Sequence, residues 1–368
     1  MKTNVKSLDW TLMFLVFTLS TIGIFMVYSA TERIPSLSHV WEKQALWLLV
    51  AVGVTWLVSQ IDYRLWLEMA FYLYGIALFF LLVVLFLGDP TKGAQRWLNF
   101  GFFSFQPSEF AKFAVILALS RYIGSKGVEL FFIGRFFFIL GMIGIPLAFI
   151  LEQPDLGSAI LLIPVSVVLM YAGGVRFRWL LWMTILGIAS SPILWQILRE
   201  YQRRRITIFL NPQADPLGAG YNIIQSIIAV GSGGISGKGF MQGTQTQLSF
   251  IPEHHTDFIY SVIGEEWGFV GSAVVMVLYF LLFRRAFEIA QKARDREGSL
   301  LALGIVLMYS IQTMINVGMA IGLLPVAGLT LPFISYGGSS LLYCWIEFGI
   351  LLNISYSIRR PSLLGTQG

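Results

Sequence analysis

The sequence predicts an all-α, polytopic integral membrane protein of about ten transmembrane helices, with one long extracytoplasmic loop between the seventh and eighth. Three observations carry that expectation. Of 368 residues, 56% are hydrophobic and only 12% charged, where a soluble domain carries about a quarter charged. The apolar residues come in blocks long enough to cross a hydrocarbon core, which takes about 20 residues. Short charged or Gly/Pro-rich breaks separate the blocks.

The spans fall near 10–30, 42–59, 65–87, 107–123, 131–151, 156–173, 178–198, 258–283, 300–323 and 337–357. The first opens at Trp10 and its apolar run is too long for a signal peptide, so it is expected to be retained. The seventh contains Pro192, which a membrane helix tolerates when neighbours satisfy the freed backbone groups. An even number of spans puts both termini on one side. With the N-terminus inside, 15 of the 25 Lys and Arg lie in inner segments, and five of the remaining ten belong to the long segment 199–257. Long loops weigh little in the positive-inside rule, so both termini are expected in the cytoplasm of a multi-pass protein of the cytoplasmic membrane. The chain reads as a single transmembrane domain, 1–368, with 199–257 as a loop within it.

The composition also excludes functions. The net charge of +5 is spread over short loops, which indicates topology rather than nucleic-acid binding. The one cysteine, Cys344, rules out an internal disulfide and lies in an apolar block. No internal repeat supports a duplicated transporter plan.

Three outer helix starts share a pattern: Gln106-Pro107-Ser108-Glu109, Gln153-Pro154-Asp155 and His255-Thr256-Asp257. Proline suits a first helical turn and an acid there meets the positive end of the helix dipole, so capping alone explains each one. Glu109 and Lys112 are three apart and share a helical face, where they can pair. An ionised lysine a turn below the helix start is costly, which leaves a helix-locking pair and a functional one as equal readings.

The segment 199–257 holds the densest chemistry: Arg199, Arg203, Arg204 and Arg205, an amphipathic stretch near 220–230, the run Gly231-Ser-Gly-Gly-Ile-Ser-Gly-Lys238-Gly239, and Pro252-Glu-His-His-Thr-Asp257. A loop of this length usually has a job. The glycine run is not a P-loop, because Ser232 and Gly239 break the motif, although its backbone N–H groups and Lys238 suit an anion as well as they suit a flexible turn. The arginines equally suit lipid head groups. Glu253, His254, His255 and Asp257 do not have zinc spacing, and His39 is the only other histidine. A Mg²⁺ or Mn²⁺ ion shared with a substrate diphosphate needs only one or two carboxylates and fits better. The last span opens near Pro332-Phe-Ile-Ser335-Tyr-Gly-Gly-Ser339-Ser340, and its N–H groups also suit an anion. Gln312 and Asn316 share a face and Glu347 lies mid-membrane; interhelical hydrogen bonding is their first reading. Together these residues describe an outward pocket for an anionic, lipid-linked substrate, a diphosphate with a neutral reacting end.

Several segments carry a resemblance: Gly93-Ala-Gln-Arg96-Trp97, Gln106-Pro-Ser-Glu-Phe-Ala-Lys112, Gln153-Pro-Asp-Leu-Gly157, Asp215-Pro-Leu-Gly-Ala-Gly-Tyr221, Gly231 to Gly239, Pro252 to Phe258 and Pro332 to Gly338. In order and position along nearly the whole chain they resemble the SEDS family (shape, elongation, division and sporulation). The stretch Gly243-Thr-Gln-Thr-Gln-Leu248 before Phe250-Ile-Pro-Glu253 is similar to the elongation branch rather than the division branch, and His254 departs from the Arg or Ala of many relatives. The resemblance implies a peptidoglycan glycosyltransferase that polymerises lipid II, joined by a class B penicillin-binding protein in the rod-elongation machinery. It makes Asp257 the essential acid, as general base or as holder of a divalent cation. For such a reaction Arg96, Lys112, Arg205 and Lys238 are expected to hold the diphosphates, Glu109 to orient Lys112, and Asp155 to shape the pocket. Ser339 and Ser340 have no assigned role. The rival expectation is a flippase moving lipid II across the membrane, and a third is a non-catalytic scaffold.

Overall fold

The computed structural model describes residues 9–91, 94–99, 101, 104–126, 133–198, 200–216, 218 and 220–359. Arg199, Gly93, Leu217 and Ala219 lie outside them. Every expected span falls on a helix. They are α1 (Trp10–Thr31), α2 (Val40–Gln60), α3 (Tyr63–Glu68) continued by α4 (Ala70–Leu87), α5 (Pro107–Lys126), α6 (Ile133–Glu152), α7 (Leu156–Ala172) and α8 (Phe177–Ala189) continued by α9 (Ser191–Ile197). After the long segment come α13 (Ile259–Lys292), α14 (Arg296–Ala320) and α15 (Gly338–Arg359). Six of these helices are long and apolar enough to cross a membrane by length and composition: α1, α4, α6, α13, α14 and α15. The helices α7 and α8 are apolar but shorter. The seventh span breaks at Ser190, and Pro192 falls in the first turn of α9, where its missing N–H would have no partner in the helix.

The segment 199–257 is folded. It holds α10 (Glu200–Leu210), a 3₁₀ turn at Pro212–Ala214, α11 (Tyr221–Ser232) and α12 (Thr244–Gln247). The amphipathic stretch foreseen near 220–230 is α11, which turns Ile223, Ser226 and Ala229 inward against α13 and α14. One element escapes the all-α expectation. A three-stranded antiparallel sheet of β1 (Asp89–Thr91), β2 (Ala94–Asn99) and β3 (Ser104–Phe105) fills the link between α4 and α5. Strands of two to six residues give too few alternations for a period-2 pattern to be read.

The core follows from the pairing of the helices. Helices α14 and α15 are mostly buried at the centre, whereas α4 keeps most of its apolar surface outward, as a lipid-facing helix should. Trp345, Tyr279, Tyr309, Phe333 and Phe348 are buried in the central cluster, with Phe333 and Tyr309 edge-to-face at 5.2 Å. The two described chain ends meet, for Arg359 donates to the Asp9 carboxylate at 3.1 Å. That contact agrees with termini on one side.

Candidate active site

The starts of α5, α7, α13 and α15 converge at one end of the bundle, and the stretch 321–337 between α14 and α15 ties them together. Tyr336 donates its N–H to His255 O at 3.0 Å. Ser335 Oγ donates to Thr256 O at 2.6 Å and accepts from Leu331 N–H at 2.7 Å. Gln44 of α2 donates to Ser335 O at 3.0 Å. Ser339 Oγ donates to Ser104 O of β3 at 2.5 Å. A Cβ on Gly157 would meet Ala327 O at 2.2 Å, so only glycine lets α7 approach this stretch so closely. α15 begins at Gly338, at the start of the expected span 337–357, and the Pro332–Gly337 segment ahead of it is a turn outside the helix.

Asp257 sits two residues ahead of α13 rather than in its first turn, in a tight turn where Asp257 N–H reaches Glu253 O at 3.1 Å. Its side chain is half-buried. Asn316 of α14 fixes it from below, donating from Nδ2 to Asp257 O at 2.8 Å and to Leu329 O at 2.6 Å. The carboxylate faces the α14–α15 stretch, with Oδ2 3.6 Å from where a Cβ on Gly328 would stand. Arg205 of α10 reaches the same stretch, Nη1 to Val326 O at 3.3 Å. The stretch from Val326 to Gly328 therefore brings Asp257 and Arg205 to one place from opposite ends of the long segment.

A second group lies one layer in. Lys112 is 2% exposed and donates to Glu109 Oε1 at 2.7 Å, as their spacing foresaw. Asp155 and Glu347 are the other acids near Lys112. Asp155 caps α7 through Ser158 N–H at 3.2 Å and accepts from Ser108 Oγ at 2.8 Å, which joins α5 to α7. Pro154 precedes that cap and does not occupy the first helical turn. An ammonium this deep needs its anions, so the cluster stands or falls as a unit.

Two other cations are engaged by the protein itself. Arg96 on β2 donates from Nε to Gln153 O at 3.0 Å and from Nη2 to Pro154 O, clamping the small sheet onto the α6–α7 turn. Lys238 donates to Glu265 Oε1 at 2.8 Å and Thr244 Oγ1 at 2.8 Å. The glycine run around it packs backbone to backbone on α13. Lys238 and Gly239 N–H groups bond Glu265 O and Glu266 O, both at 3.0 Å, and Phe269 N–H returns to Gly234 O at 2.9 Å. Gly268 has a φ of 66° and a Cβ there would lie 2.3 Å from Gly237 N. Those N–H groups are spent on carbonyls, so the run is a rigid seat.

Two acids of α13, Glu265 and Glu266, hold the surrounding segments to that helix. Glu265 is fully buried and also accepts from Gln245 N–H at 2.9 Å and Thr246 N–H at 3.1 Å, fixing α12. Glu266 accepts from Ser29 Oγ of α1 at 2.5 Å. Two adjacent acids inside an apolar block were the available signal, since such groups are costly unless partnered. The backbone carbonyls of 326–335 had none, because any residue supplies one. His254 is buried, its ring nitrogens against Ile251 O at 2.7 Å and Ala30 O at 2.8 Å, so neither is turned toward a metal. Among the described residues no three His, Cys, Asp or Glu cluster as a metal centre. A cation here would rest on Asp257 together with substrate oxygens, which suffices for Mg²⁺ or Mn²⁺.

A family model described as a cell cycle protein, covering FtsW, RodA and SpoVE, matches residues 10–360. The chain belongs to the FtsW/RodA/SpoVE family, the SEDS proteins. Among its relatives, "Peptidoglycan glycosyltransferase MrdB" of Escherichia coli K12 is 40% identical, covering 94% of this chain and 93% of that protein. "Probable peptidoglycan glycosyltransferase FtsW" of Trichlorobacter lovleyi is 38% identical, over 97% and 95%. A solved chain from a study of polymerization and crosslinking by a peptidoglycan synthase complex superposes with a TM-score of 0.82 at 32% identity, over 96% and 99%. The rod shape determining protein RodA of Thermus thermophilus gives 0.74 at 28%, over 98% and 100%. These likenesses and the apolar helices make the chain a multi-pass membrane protein.

Proposed function

We propose that this chain is a peptidoglycan glycosyltransferase that polymerises lipid II at the extracytoplasmic face of the cytoplasmic membrane, during cell elongation, with Asp257 as general base. The observation that carries the assignment of Asp257 is its position: a half-buried carboxylate in a rigid turn, facing the same stretch that Arg205 contacts. The names of relatives 38% and 40% identical over nearly the whole chain support the activity.

The reaction joins the 4-hydroxyl of one lipid II to the anomeric carbon of the growing chain and releases undecaprenyl diphosphate. The attacking alcohol gives its proton to Asp257, which is worth about 10²–10⁴-fold in rate. The departing diphosphate gathers negative charge, which Arg205 meets directly. Lys112 contributes from beneath, with Glu109 holding its ammonium, and Asp155 keeps the starts of α5 and α7 together. In this reading a diphosphate shares Arg96 and Lys238 with the carbonyls and carboxylate that hold them now. Asp257 would hold a Mg²⁺ or Mn²⁺ ion, which would supply positive charge to the leaving diphosphate. A class B penicillin-binding protein of the rod-elongation complex supplies the transpeptidase.

Labelled lipid II in detergent, given to the purified chain with its partner, tests this reading. Long glycan strands are expected from wild type and none from Asp257→Asn of normal fold. Strands of wild-type length from that variant would remove Asp257 from the mechanism. A flippase produces no glycan in a system with one compartment. Repeating the assay with a chelator and then with added Mg²⁺ or Mn²⁺ separates a base from a metal holder.

A further inference from the structure

At the bundle end opposite Asp257, a cavity of about 210 Å³ opens between the last turns of α13 and α15. A water's share of liquid volume is about 30 Å³, so the space is larger than a solvent pocket. Arg285, Lys292 and Arg359 line it against one carboxylate, Glu288. Its floor is apolar, formed by Ile289 and Ile358.

Two of the three cations are held in place. Asp9, 2% exposed at the start of α1, takes Arg285 Nη2 at 2.7 Å and Nε at 3.0 Å, Arg359 Nη2 at 3.1 Å and Ser355 Oγ at 3.2 Å. Asp9 fixes the two guanidinium groups and offsets one of their charges, so Arg285, Lys292 and Arg359 outnumber the acids Asp9 and Glu288 by one. Arg285 also gives Nη1 to Glu288 at 2.7 Å, which uses three of its five N–H donors in all. Glu288 is further occupied by Arg284 at 3.3 Å. Lys292 feels the charge of Glu288 and makes no ion pair among the described residues.

Depth identifies the ligand class. α13 kinks at Gly268, and the 24 residues beyond it, Phe269 to Lys292, cover about 36 Å at 1.5 Å per residue, more than a hydrocarbon core of about 30 Å. The charged end of that stretch, Arg284 to Lys292, therefore reaches the layer of lipid head groups. A basic pocket between membrane-spanning helices at that depth, with an apolar floor, matches a phosphodiester attached to acyl chains.

We infer that the cavity between the ends of α13 and α15 is a binding site for the phosphate of an anionic membrane phospholipid, held by Arg285, Lys292 and Arg359. The site is separate from the proposed glycan chemistry and stands without it.

Native mass spectrometry of the full chain in detergent, mixed with phosphatidylglycerol or phosphatidylcholine, tests the site. One phosphatidylglycerol is expected to be retained in clear preference to phosphatidylcholine. Lys292→Gln should lower that retention about fivefold, the worth of one cation at a lipid surface, and Lys292→Arg should restore it. Lys292 bears no structural pair, so the variant keeps its fold, checked by its elution profile. Lys43→Gln, an exposed lysine on α2, should change nothing. Equal retention of the two lipids, or retention unmoved by Lys292→Gln, would overturn the site. Displacement of the lipid by millimolar glycerol phosphate would overturn its lipid source.

Discussion

The two ends of the bundle use the same residue types differently. At the end where Asp9 meets Arg359, Asp9 and Asp295 are helix N-caps for α1 and α14, and each also takes an arginine: Arg285 at 2.7 Å for Asp9 and Arg64 at 3.1 Å for Asp295. Burial pushes both carboxyls up, yet hydrogen bonds outweigh it, from Arg285 and Leu12 N–H for Asp9 and from Tyr63 and Gly298 N–H for Asp295, so both lie below the ordinary aspartate value. At the other end Asp257 caps no helix and is fixed through its backbone by Asn316. Asp9 and Asp295 are helix caps tied to arginines, whereas Asp257 stands ahead of its helix, held at its main chain by Asn316, with its carboxylate beside the Val326–Gly328 stretch.

Asp257→Asn is the strongest test of that contrast. It should lower glycan polymerisation by about 10²–10⁴-fold with the thermal midpoint preserved. A parallel loss of stability would erase the distinction. Lys112→Met should cost about 3–5 kcal/mol of stability by stranding Glu109 in the core. Adding Glu109→Gln should recover most of that in a denaturation measurement while leaving polymerisation impaired, because a structural lock would be relieved and a site residue would not. Gly268→Ala should cost about 1–3 kcal/mol by forcing a side chain into left-handed backbone against Gly237, read as a lowered melting temperature. Asp9→Asn, at the opposite end, should cost about 1–2 kcal/mol through a weakened cap and lost arginine bonds, with polymerisation per folded molecule unchanged. The smallest effect is with pH. Since the folded values of Asp9 and Asp295 are depressed, their contribution is complete above the unfolded value of about 3.8 and is lost as pH falls through the folded ones. Melting temperatures should therefore drop below about pH 4, and less steeply in Asp9→Asn.

Much of this was legible in the chain. The helices were readable because a hydrocarbon core imposes a length and a composition on each crossing. Pro192 marked the break between α8 and α9. The Glu109–Lys112 pair was readable because helical neighbours three apart must meet. The small sheet was not, since its strands are too short for a pattern, nor was the role of the glycine run as a seat for α13, which depends on a distant partner. Lys238 looked available for an anion because its partner Glu265 lies 27 residues away.

The sequence by itself determined that the chain spans a membrane repeatedly, where its helices run, which family it resembles and which acid to suspect. Only the tertiary structure decided which cations are already engaged, that the stretch from Val326 to Gly328 brings Asp257 and Arg205 together, and that Asp9 gathers Arg285 and Arg359 beneath a basic cavity. The physical reason is range. Hydropathy and helical spacing act between near neighbours, while backbone carbonyls and buried counter-charges act between segments whose meeting no local pattern encodes.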